Sequence, residues 1–323
     1  MLTMNKPTMM NSSPPRFNAK ILLFGEYTLM SGSQALTLPF PHFGGKLWFD
    51  DSLSPEHETS NSSLKGFCTY LENHKNGFPE GLELEIEQLN NDLDRGMYLD
   101  SDIPQGYGVG SSGVLVAAVY EAYSKKRLLP DTSPNLVVLK QHFSFMESFF
   151  HGRSSGLDPL SCYVGRPLLV YSPEKIEIVD FPNPNSNQAF EIFLLDTGKT
   201  SKTEGLVNLF LEKSNDKAFK RILKNDLIPQ TDSCIETLIE GAIPNFMKQI
   251  GELSALQIEH FKEMIPEDFI KVWKNGIDTG DYSLKLCGSG GGGFILGFAN
   301  RSERTVNYFE DAGLRILSVL NSR

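Results

Sequence analysis

The sequence predicts an α+β protein with two domains. The first half contains strand-like runs at residues 20–24, 45–49 and 82–88 together with apolar, helix-forming segments after Gly113 and Pro134. The second half begins with another strand-like run and continues with blocks of amphipathic helix. Strands accompanied by blocks of helix on one side are typical of α+β layering. A chain of 323 residues, of which 40% are hydrophobic, is long for a single core and favours two.

A proline- and asparagine-rich segment, FPNPNSNQ at residues 181–188, is the best linker candidate, because it can neither sustain a helix nor continue a sheet. We therefore predict an N-terminal domain at residues 17–183 and a C-terminal domain at residues 184–323. Residues 1–16 lack the apolar core of a signal peptide and are expected to form a flexible leader. The polar stretch at residues 50–63 is expected to be a loop or flap.

The composition favours a cytoplasmic enzyme that acts on a small molecule. The net charge is −10, and neither a basic stripe nor a polybasic tail is present, which argues against nucleic acid or an anionic membrane as partner. No stretch approaches the roughly 18 apolar residues that a membrane span requires. The four cysteines lack the spacing of a zinc site or a disulfide framework, so we expect reduced thiols.

A first glycine cluster, DIPQGYGVGSSGV at residues 102–114, has the composition of an anion-binding loop. Its glycines permit sharp turns, and the helix predicted after it would offer unpaired N–H groups and a positive dipole end to a phosphate. A dinucleotide-binding fold is disfavoured, because the segment after this helix is helical in pattern rather than strand-like. A P-loop ending at residues 198–200 is excluded, since Phe193 occupies the place of a required glycine. The cluster therefore indicates a nucleotide site of another kind.

A second glycine cluster, KLCGSGGGG, lies at residues 285–293 between two strand-like runs. Glycine at this density costs backbone entropy on folding, which favours a function that needs positive φ or close approach to a ligand. A flexible linker is the alternative, but linkers carry serine, proline and charge on both sides. We predict a binding loop.

The segment ESFFHGRSSGLDPL, at residues 147–160, joins two predicted helices. Glu147 and His151 are four residues apart and would share one helical face, and Gly152 is suited to end that helix. Asp158 precedes a proline at the start of the next helix, where it would serve as an N-cap or in chemistry. Capping and chemistry need not exclude each other.

These segments together carry a family resemblance. Four motifs occur in order: AKILLFGEY at residues 19–27, PQGYGVGSSG at 104–113, ExxxHGxxSGxD at 147–158 and KLCGSGGGG at 285–293. The set resembles the GHMP kinases, which phosphorylate galactose, homoserine, mevalonate or phosphomevalonate, and among them it is most similar to the mevalonate kinases. The resemblance implies an N-terminal domain like ribosomal protein S5 domain 2 and a ferredoxin-like C-terminal domain. It also implies transfer of the γ-phosphoryl group of ATP to a hydroxyl of mevalonate, with Mg²⁺.

The resemblance further implies roles for individual residues. Mg²⁺ would be held by Glu147 and by Ser112 or Ser111, between which the sequence does not decide. Asp158 would take or orient the proton of the substrate hydroxyl, and Lys20 beside it would keep Asp158 ionised and stabilise charge on the moving phosphoryl group. The implied ATP-binding residues are Pro104, Gly106, Gly108, Gly110, Ser111, Ser112, Gly113, Gly288, Gly290 and Gly291. The implied substrate contacts are Glu26, Tyr27, His151, Arg153, Ser155 and Thr203.

Some of these residues also have plainer structural interpretations. Lys20 lies at the mouth of an apolar strand, where lysines commonly extend their charged end to water. Glu26 could support the loop instead of contacting substrate, and Thr203 could cap a helix. His151 could be a packed histidine, and Arg153 a solvated surface charge.

Departures from the mevalonate kinase pattern leave the substrate open. Tyr27 stands where mevalonate kinases usually have a histidine, and a tyrosine at this position resembles the phosphomevalonate kinases. Ser154 replaces a proline of the family pattern, and Arg153 and Arg166 add positive charges. Added arginines near a site suit a phosphate or carboxylate on the acceptor. Phosphomevalonate kinase is therefore the first alternative and a sugar kinase the second, whereas the Glu147 motif disfavours diphosphomevalonate decarboxylase. A non-catalytic sensor of ATP and a metabolite is an alternative from another class. We expect a monomer or homodimer.

Overall fold

The computed structural model describes residues 14–50, 54–182, 190–201, 203–300 and 308–319. It divides into two compact units, each assembled from three stretches of chain. The first unit comprises Met1–Ala19, Pro41–Ile103 and Gly110–Gly165, and the second comprises Lys20–Phe40, Pro104–Val109 and Arg166–Arg323. The predicted domain boundary between residues 183 and 184 lies outside the described residues, as does most of the predicted leader, and both stay predictions.

The first unit combines a strand pair with five helices in its described part. Residues 45–49, at the end of β2 (Ala35–Phe49), pair antiparallel with β3 (Met97–Ser101). The helices of this unit are α1 (Pro55–Asn73), α2 (Ile86–Asp94), α3 (Ser111–Tyr123), α4 (Ser133–His151) and α5 (Leu157–Val164). The apolar residues of α3 are almost all buried, and α3 packs on α4 and α5.

The loop or flap predicted at residues 50–63 is wrong from Pro55 onward. The side chain of Ser54 accepts a hydrogen bond from the His57 N–H, and a proline and acidic residues follow, which together form a strong helix start. The exposed face of α1 is polar, and its apolar face begins only near Leu64. An interpretation based on composition therefore mistakes the first two turns of α1 for a loop. Residues 51–53 lie outside the described part.

The strand predicted at residues 82–88 is also wrong. Only an isolated bridge joins Leu84 to Ser124, and α2 begins at Ile86. The alternation of leucine and glutamate imitates a half-buried strand, but Leu89 and Leu93 then form the buried face of a short helix. The strands predicted at residues 20–24 and 45–49 are confirmed within β1 (Phe17–Phe24) and β2.

The second unit contains a sheet of four antiparallel strands among its described residues. Their order is β7 (Tyr282–Leu286), β8 (Phe294–Asn300), β6 (Phe190–Asp196) and β9 (Ile316–Ser318). The helices are α6 (Thr203–Lys213), α7 (Lys217–Ile222), α8 (Ile228–Ile239), α9 (Ile243–His260) and α10 (Glu267–Thr279), with a π-helical turn between α7 and α8. The buried indole of Trp273 on α10 donates to the Ser254 carbonyl on α9.

The same unit contains a strand group formed by residues 35–37 of β2, β4 (Leu168–Ser172) and β5 (Lys175–Ile178), paired antiparallel in that order. The mixture of sheets with blocks of helix confirms the predicted α+β class. Among the helices that the described ranges contain, none is both long enough and apolar enough to span a bilayer.

Candidate active site

The start of α3 has the features of an anion-binding helix terminus. Gly110 is the N-cap residue in the left-handed conformation, with φ of 90°, and no side chain caps the helix there. The N–H groups of the first turn are therefore not used by a capping side chain. Gly113 lies close to the start of α5, since a Cβ at this position would stand 3.0 Å from the Asp158 carbonyl carbon. Any larger residue at position 113 would push α3 away from Asp158.

A hydroxyl–carboxylate cluster lies beside this helix start. The Ser112 hydroxyl donates to Glu147 Oε1 at 2.9 Å, and His151 Nε2 lies 3.2 Å from the same hydroxyl oxygen. Glu147 is buried, with 4% of its surface exposed, whereas His151 is exposed. One helix, α4, thus brings both side chains to Ser112. Ser111, the alternative metal ligand, is half-buried at the first position of α3.

Ser154 completes this cluster and was missed as a site residue by the sequence interpretation. Its hydroxyl donates to Glu147 Oε2 and accepts a hydrogen bond from the Gly156 N–H at 2.9 Å. Its carbonyl accepts from the Ser144 hydroxyl at 2.6 Å. Both carboxylate oxygens of Glu147 are consequently held by serine hydroxyls. The signal in the sequence was the replacement of the family's proline by a residue that can donate a hydrogen bond.

Asp158 lies in the first turn of α5 but does not cap it. The N-cap residue is Gly156, with φ of 72°, so the alternative that Asp158 is the N-cap is wrong. An acidic residue in a first turn is stabilised by the positive end of the helix dipole. The Ser155 hydroxyl accepts from the Leu157 N–H at 3.2 Å. Ser155 thereby contributes to the turn before α5.

Lys20 is buried rather than extended to water. Only 2% of its surface is exposed, so the snorkelling interpretation is wrong. Its ammonium donates to the Gly108 carbonyl at 3.1 Å, and its N–H donates to the Val109 carbonyl at 3.0 Å. The strand β1 thus holds a cation against the loop at residues 104–109, which contains Pro104, Gly106 and Gly108 of the predicted ATP site.

The second glycine cluster is an ordered loop between β7 and β8, so the linker alternative is wrong. Gly288, Gly290, Gly291 and Gly293 all have positive φ, which side-chain-bearing residues rarely adopt. A Cβ at Gly290 would stand 2.4 Å from the Met264 carbonyl oxygen. The Gly291 N–H donates to that same oxygen at 2.6 Å.

The loop at 104–109 and the second glycine cluster contact each other within the second unit. A Cβ at Gly288 would stand 3.8 Å from the Gly108 Cα, and one at Gly293 would stand 2.7 Å from the Tyr107 Cα. The Gly106 carbonyl accepts from the Ser201 N–H at 3.0 Å. Two glycine-rich segments that the sequence separates by some 180 residues thus form one backbone-lined surface.

Glu26 and Tyr27 are both buried in the second unit. Glu26 Oε1 lies 2.7 Å from the Lys285 ammonium, and the Tyr27 hydroxyl donates to the Ser289 carbonyl at 2.6 Å. Burial raises the pKa of Glu26 from its ordinary value, while the charges of Lys285 and Lys20 act in the opposite direction. Lys285 was not among the predicted site residues, although it is the first residue of the KLCGSGGGG motif.

The two arginines that the sequence interpretation singled out lie at the surface. Arg153 and Arg166 are exposed. Thr203 is the first residue of α6, and its side chain lies outside the described part. The four cysteines are buried thiols, among them Cys287 directly before the glycine loop.

The donors present fit Mg²⁺ and a nucleotide triphosphate. Glu147 and Ser112 offer hard oxygen ligands, and Mg²⁺ usually takes its other ligands from water and substrate phosphates. Within the described ranges no group of three or more histidine, cysteine, aspartate or glutamate side chains could hold a metal on its own. The glycine-rich backbone in the second unit and, separately, the uncapped α3 terminus in the first unit each have features that suit a phosphate.

No family model matches the chain, but individual proteins and solved structures are similar to it. The mevalonate kinase of Pyrococcus abyssi is 23% identical over an alignment of 326 residues, gaps included, that covers 93% of this chain and 91% of that relative. The structure of L. major mevalonate kinase in complex with R-mevalonate has a TM-score of 0.65 at 16% identity, covering 99% of each chain. Streptococcus pneumoniae phosphomevalonate kinase in complex with phosphomevalonate and AMPPNP has a TM-score of 0.62 at 15% identity, covering 95% of this chain and 100% of that one.

The structural likenesses show the fold, and the sequence similarity extends along the same length. In the structure, the four motifs on which the resemblance rests correspond to β1 with the turn after it, the two glycine loops and the Glu147 cluster. The chain is similar in sequence to the mevalonate kinases along nine-tenths of its length and has the fold of GHMP kinases such as mevalonate kinase and phosphomevalonate kinase, and this similarity supports a phosphotransferase.

Proposed function

We propose that the chain transfers the γ-phosphoryl group of ATP to a hydroxyl of mevalonate. The observation that carries the proposal is the Ser112–Glu147 cluster at the uncapped start of α3. A kinase of small molecules needs a phosphate-binding backbone and a hard-oxygen metal ligand side by side, and this cluster supplies both. The choice of mevalonate is supported by the relatives that span nine-tenths of the chain.

In this proposal each group of residues meets one requirement of phosphoryl transfer. Bound Mg-ATP would supply the phosphoryl group and the metal charge that offsets its negative charge. Glu147 and Ser112 would hold the metal, and Ser154 would fix the orientation of the Glu147 carboxylate. Asp158 would accept the hydrogen bond of the acceptor hydroxyl and take its proton. Lys20 would place a buried positive charge at the loop that wraps the phosphates.

The glycine segments would bind the phosphates through their backbone. Gly106, Gly108 and the loop from Gly288 to Gly291 form one surface in the second unit, and Gly110 to Gly113 form the helix start in the first. Backbone N–H groups fixed in this way lose little further entropy when an anion binds. Substrate contacts by Glu26, His151, Arg153, Ser155 and Thr203 stay predictions.

Phosphomevalonate is the second candidate acceptor. Arg153 and Arg166 are exposed and therefore accessible to a phosphate-bearing acceptor, and Tyr27 departs from the histidine of mevalonate kinases. A sugar acceptor and a non-catalytic sensor come after it. Cytoplasmic location and a monomeric or homodimeric state are part of the same proposal, and the buried cysteine thiols are compatible with a reducing compartment.

The test is ADP release from Mg-ATP by the purified chain with mevalonate, 5-phosphomevalonate, galactose and homoserine in parallel. Turnover with mevalonate alone supports the proposal, and turnover only with 5-phosphomevalonate replaces it by the second candidate. If no ADP is released with any of the four acceptors while an ATP analogue still binds, the result would favour the non-catalytic sensor. Asp158→Asn serves as the control for contaminating kinases, because it should abolish most of any genuine signal.

A further inference from the structure

We infer that Tyr27 is a positioning residue that tethers the second glycine loop, acting together with the neighbouring Glu26–Lys285 ion pair, rather than a contact for the acceptor substrate. The inference deepens the proposed function and rests on it where it concerns ATP. It concerns residues of the second unit alone.

The turn that carries Tyr27 is held in an unusual conformation. Tyr27 has φ of 63° and ψ of −45°, and among the described residues other than glycine it alone has positive φ. The preceding Gly25 has φ of 110°, and a Cβ there would stand 2.6 Å from the Ala35 Cβ. Strained backbone of this kind persists only where surrounding contacts fix it, and it clusters at functional sites.

The contacts that fix Tyr27 direct its side chain to the glycine loop. Its ring packs against Phe210 at 4.8 Å and Phe261 at 5.6 Å between ring centroids. Its hydroxyl donates to the Ser289 carbonyl at 2.6 Å. Only 6% of Tyr27 is exposed, so both its ring and its hydroxyl are engaged by the protein itself.

The residue before Tyr27 reaches the strand from which the same loop emerges. Lys285 lies in β7, and its ammonium contacts Glu26 Oε1 and the Leu286 carbonyl, each at 2.7 Å. The side chains of Lys285 and Glu26 are 1% and 2% exposed. Two adjacent residues of one turn therefore fix the loop at its base, through Lys285, and near its apex, through Ser289.

A loop as rich in glycine as residues 288–293 has many accessible conformations when it is not fixed. The tether removes that freedom before a ligand binds, so binding to the loop backbone costs less ordering. Loss of the tether should therefore weaken the ATP step. The acceptor step should be unaffected, because the Tyr27 hydroxyl is used by Ser289.

The test is Tyr27→Phe, which removes the hydroxyl and leaves the buried ring. Tyr282→Phe is the matched control, because its buried ring also belongs to the second unit and its hydroxyl donates to the Val272 carbonyl at 2.6 Å. Hydrogen exchange of a peptide covering residues 287–293 is measured on each full-length protein without ligand. Affinity for AMPPNP and the KM values for ATP and acceptor are measured on the same samples.

For Tyr27→Phe we expect exchange of the loop peptide to be faster by about threefold to tenfold, the factor that corresponds to one lost hydrogen bond. AMPPNP affinity and KM for ATP should weaken by a similar factor, with KM for the acceptor unchanged. Unchanged exchange in the loop overturns the inference. So does a rise in acceptor KM with normal ATP binding, which would make Tyr27 a substrate residue. Exchange and AMPPNP binding need no turnover, so a failure of the proposed reaction is distinguishable from a failure of the tether.

Discussion

Replacing Glu26 by glutamine should destabilise the second unit by about 3–5 kcal/mol, the cost typical of breaking a buried ion pair from one side. The Lys285 ammonium would then stay buried opposite an uncharged side chain. Its remaining partners are the Leu286 carbonyl at 2.7 Å and the face of the Phe24 ring, whose centroid is 5.4 Å away. A single carbonyl dipole does not replace a carboxylate.

The magnitude follows from the geometry of the pair. Two unit charges 2.7 Å apart attract each other by about 6 kcal/mol at an effective dielectric constant of about 20. A buried glutamine costs less to desolvate than a buried carboxylate, and this difference offsets part of the lost attraction. A net cost near the middle of the stated range is therefore expected, and most of it reflects the unpaired lysine.

The assay is urea denaturation, with the midpoint and the slope m measured for each variant. Glu83→Gln is the matched control, because Glu83 pairs with Lys126 at 3.2 Å while both side chains are at least half exposed; its cost should stay below about 1 kcal/mol. The double variant Glu26→Leu with Lys285→Met should recover most of the loss, since no buried charge remains. Equal, small costs for Glu26→Gln and Glu83→Gln would refute the reasoning.

Three further predictions concern the first unit. Asp158→Asn should lower kcat by roughly 100-fold or more with nearly normal AMPPNP binding, and near-normal turnover would contradict its role as base. Ser154→Ala should weaken Mn²⁺ binding in the presence of AMPPNP by several-fold, measured by electron paramagnetic resonance, because Glu147 loses a donor that orients it. Ser148→Ala, which removes a hydroxyl that donates to the Ser144 carbonyl at 2.7 Å, should not change Mn²⁺ binding, and equal effects of the two variants would contradict the orienting role. Burial lowers the pKa of His142 below its ordinary value of 6.5, so the unfolded chain takes up the proton first and stability should fall as pH drops below about 6.5. His142→Gln should reduce that slope in urea titrations at pH 5 to 8, and an unchanged slope would contradict it.

Local chemistry made part of the site predictable from the sequence. The glycine segments, the start of α3 and the end of α4 at Gly152 all follow from backbone conformations that few residues adopt. Helix periodicity placed Glu147 and His151 together. These features depend on neighbours a few residues apart, and such neighbours are visible in a sequence.

The features that were missed depend on tertiary contacts. Glu26 and Lys285 form an ion pair although they are more than 250 residues apart in the sequence, and no local sequence pattern indicates that pairing. Ser154 was seen only as a lost proline, since its contact with Glu147 depends on how the chain turns after α4. The prediction of a loop at the first turns of α1 was wrong for another reason. We gave the polar composition of these turns more weight than the strong capping signal at Ser54.

The second unit is discontinuous in sequence, and this limits how the chain can be divided. The strand at Lys20–Phe24 and the turn with Glu26 and Tyr27 come from the first 40 residues, while the partners of Glu26 and Tyr27 lie beyond residue 166. A fragment starting at the predicted linker would carry Lys285 without its counter-ion and Ser289 without Tyr27. Excision at that point should therefore yield an insoluble polypeptide, and complementation would require the N-terminal segment to be supplied as well. Chimeras that join the N-terminal part of one related enzyme to the C-terminal part of another would combine residues 26 and 285 from different proteins. We therefore expect the residues at these two positions to vary together among related enzymes.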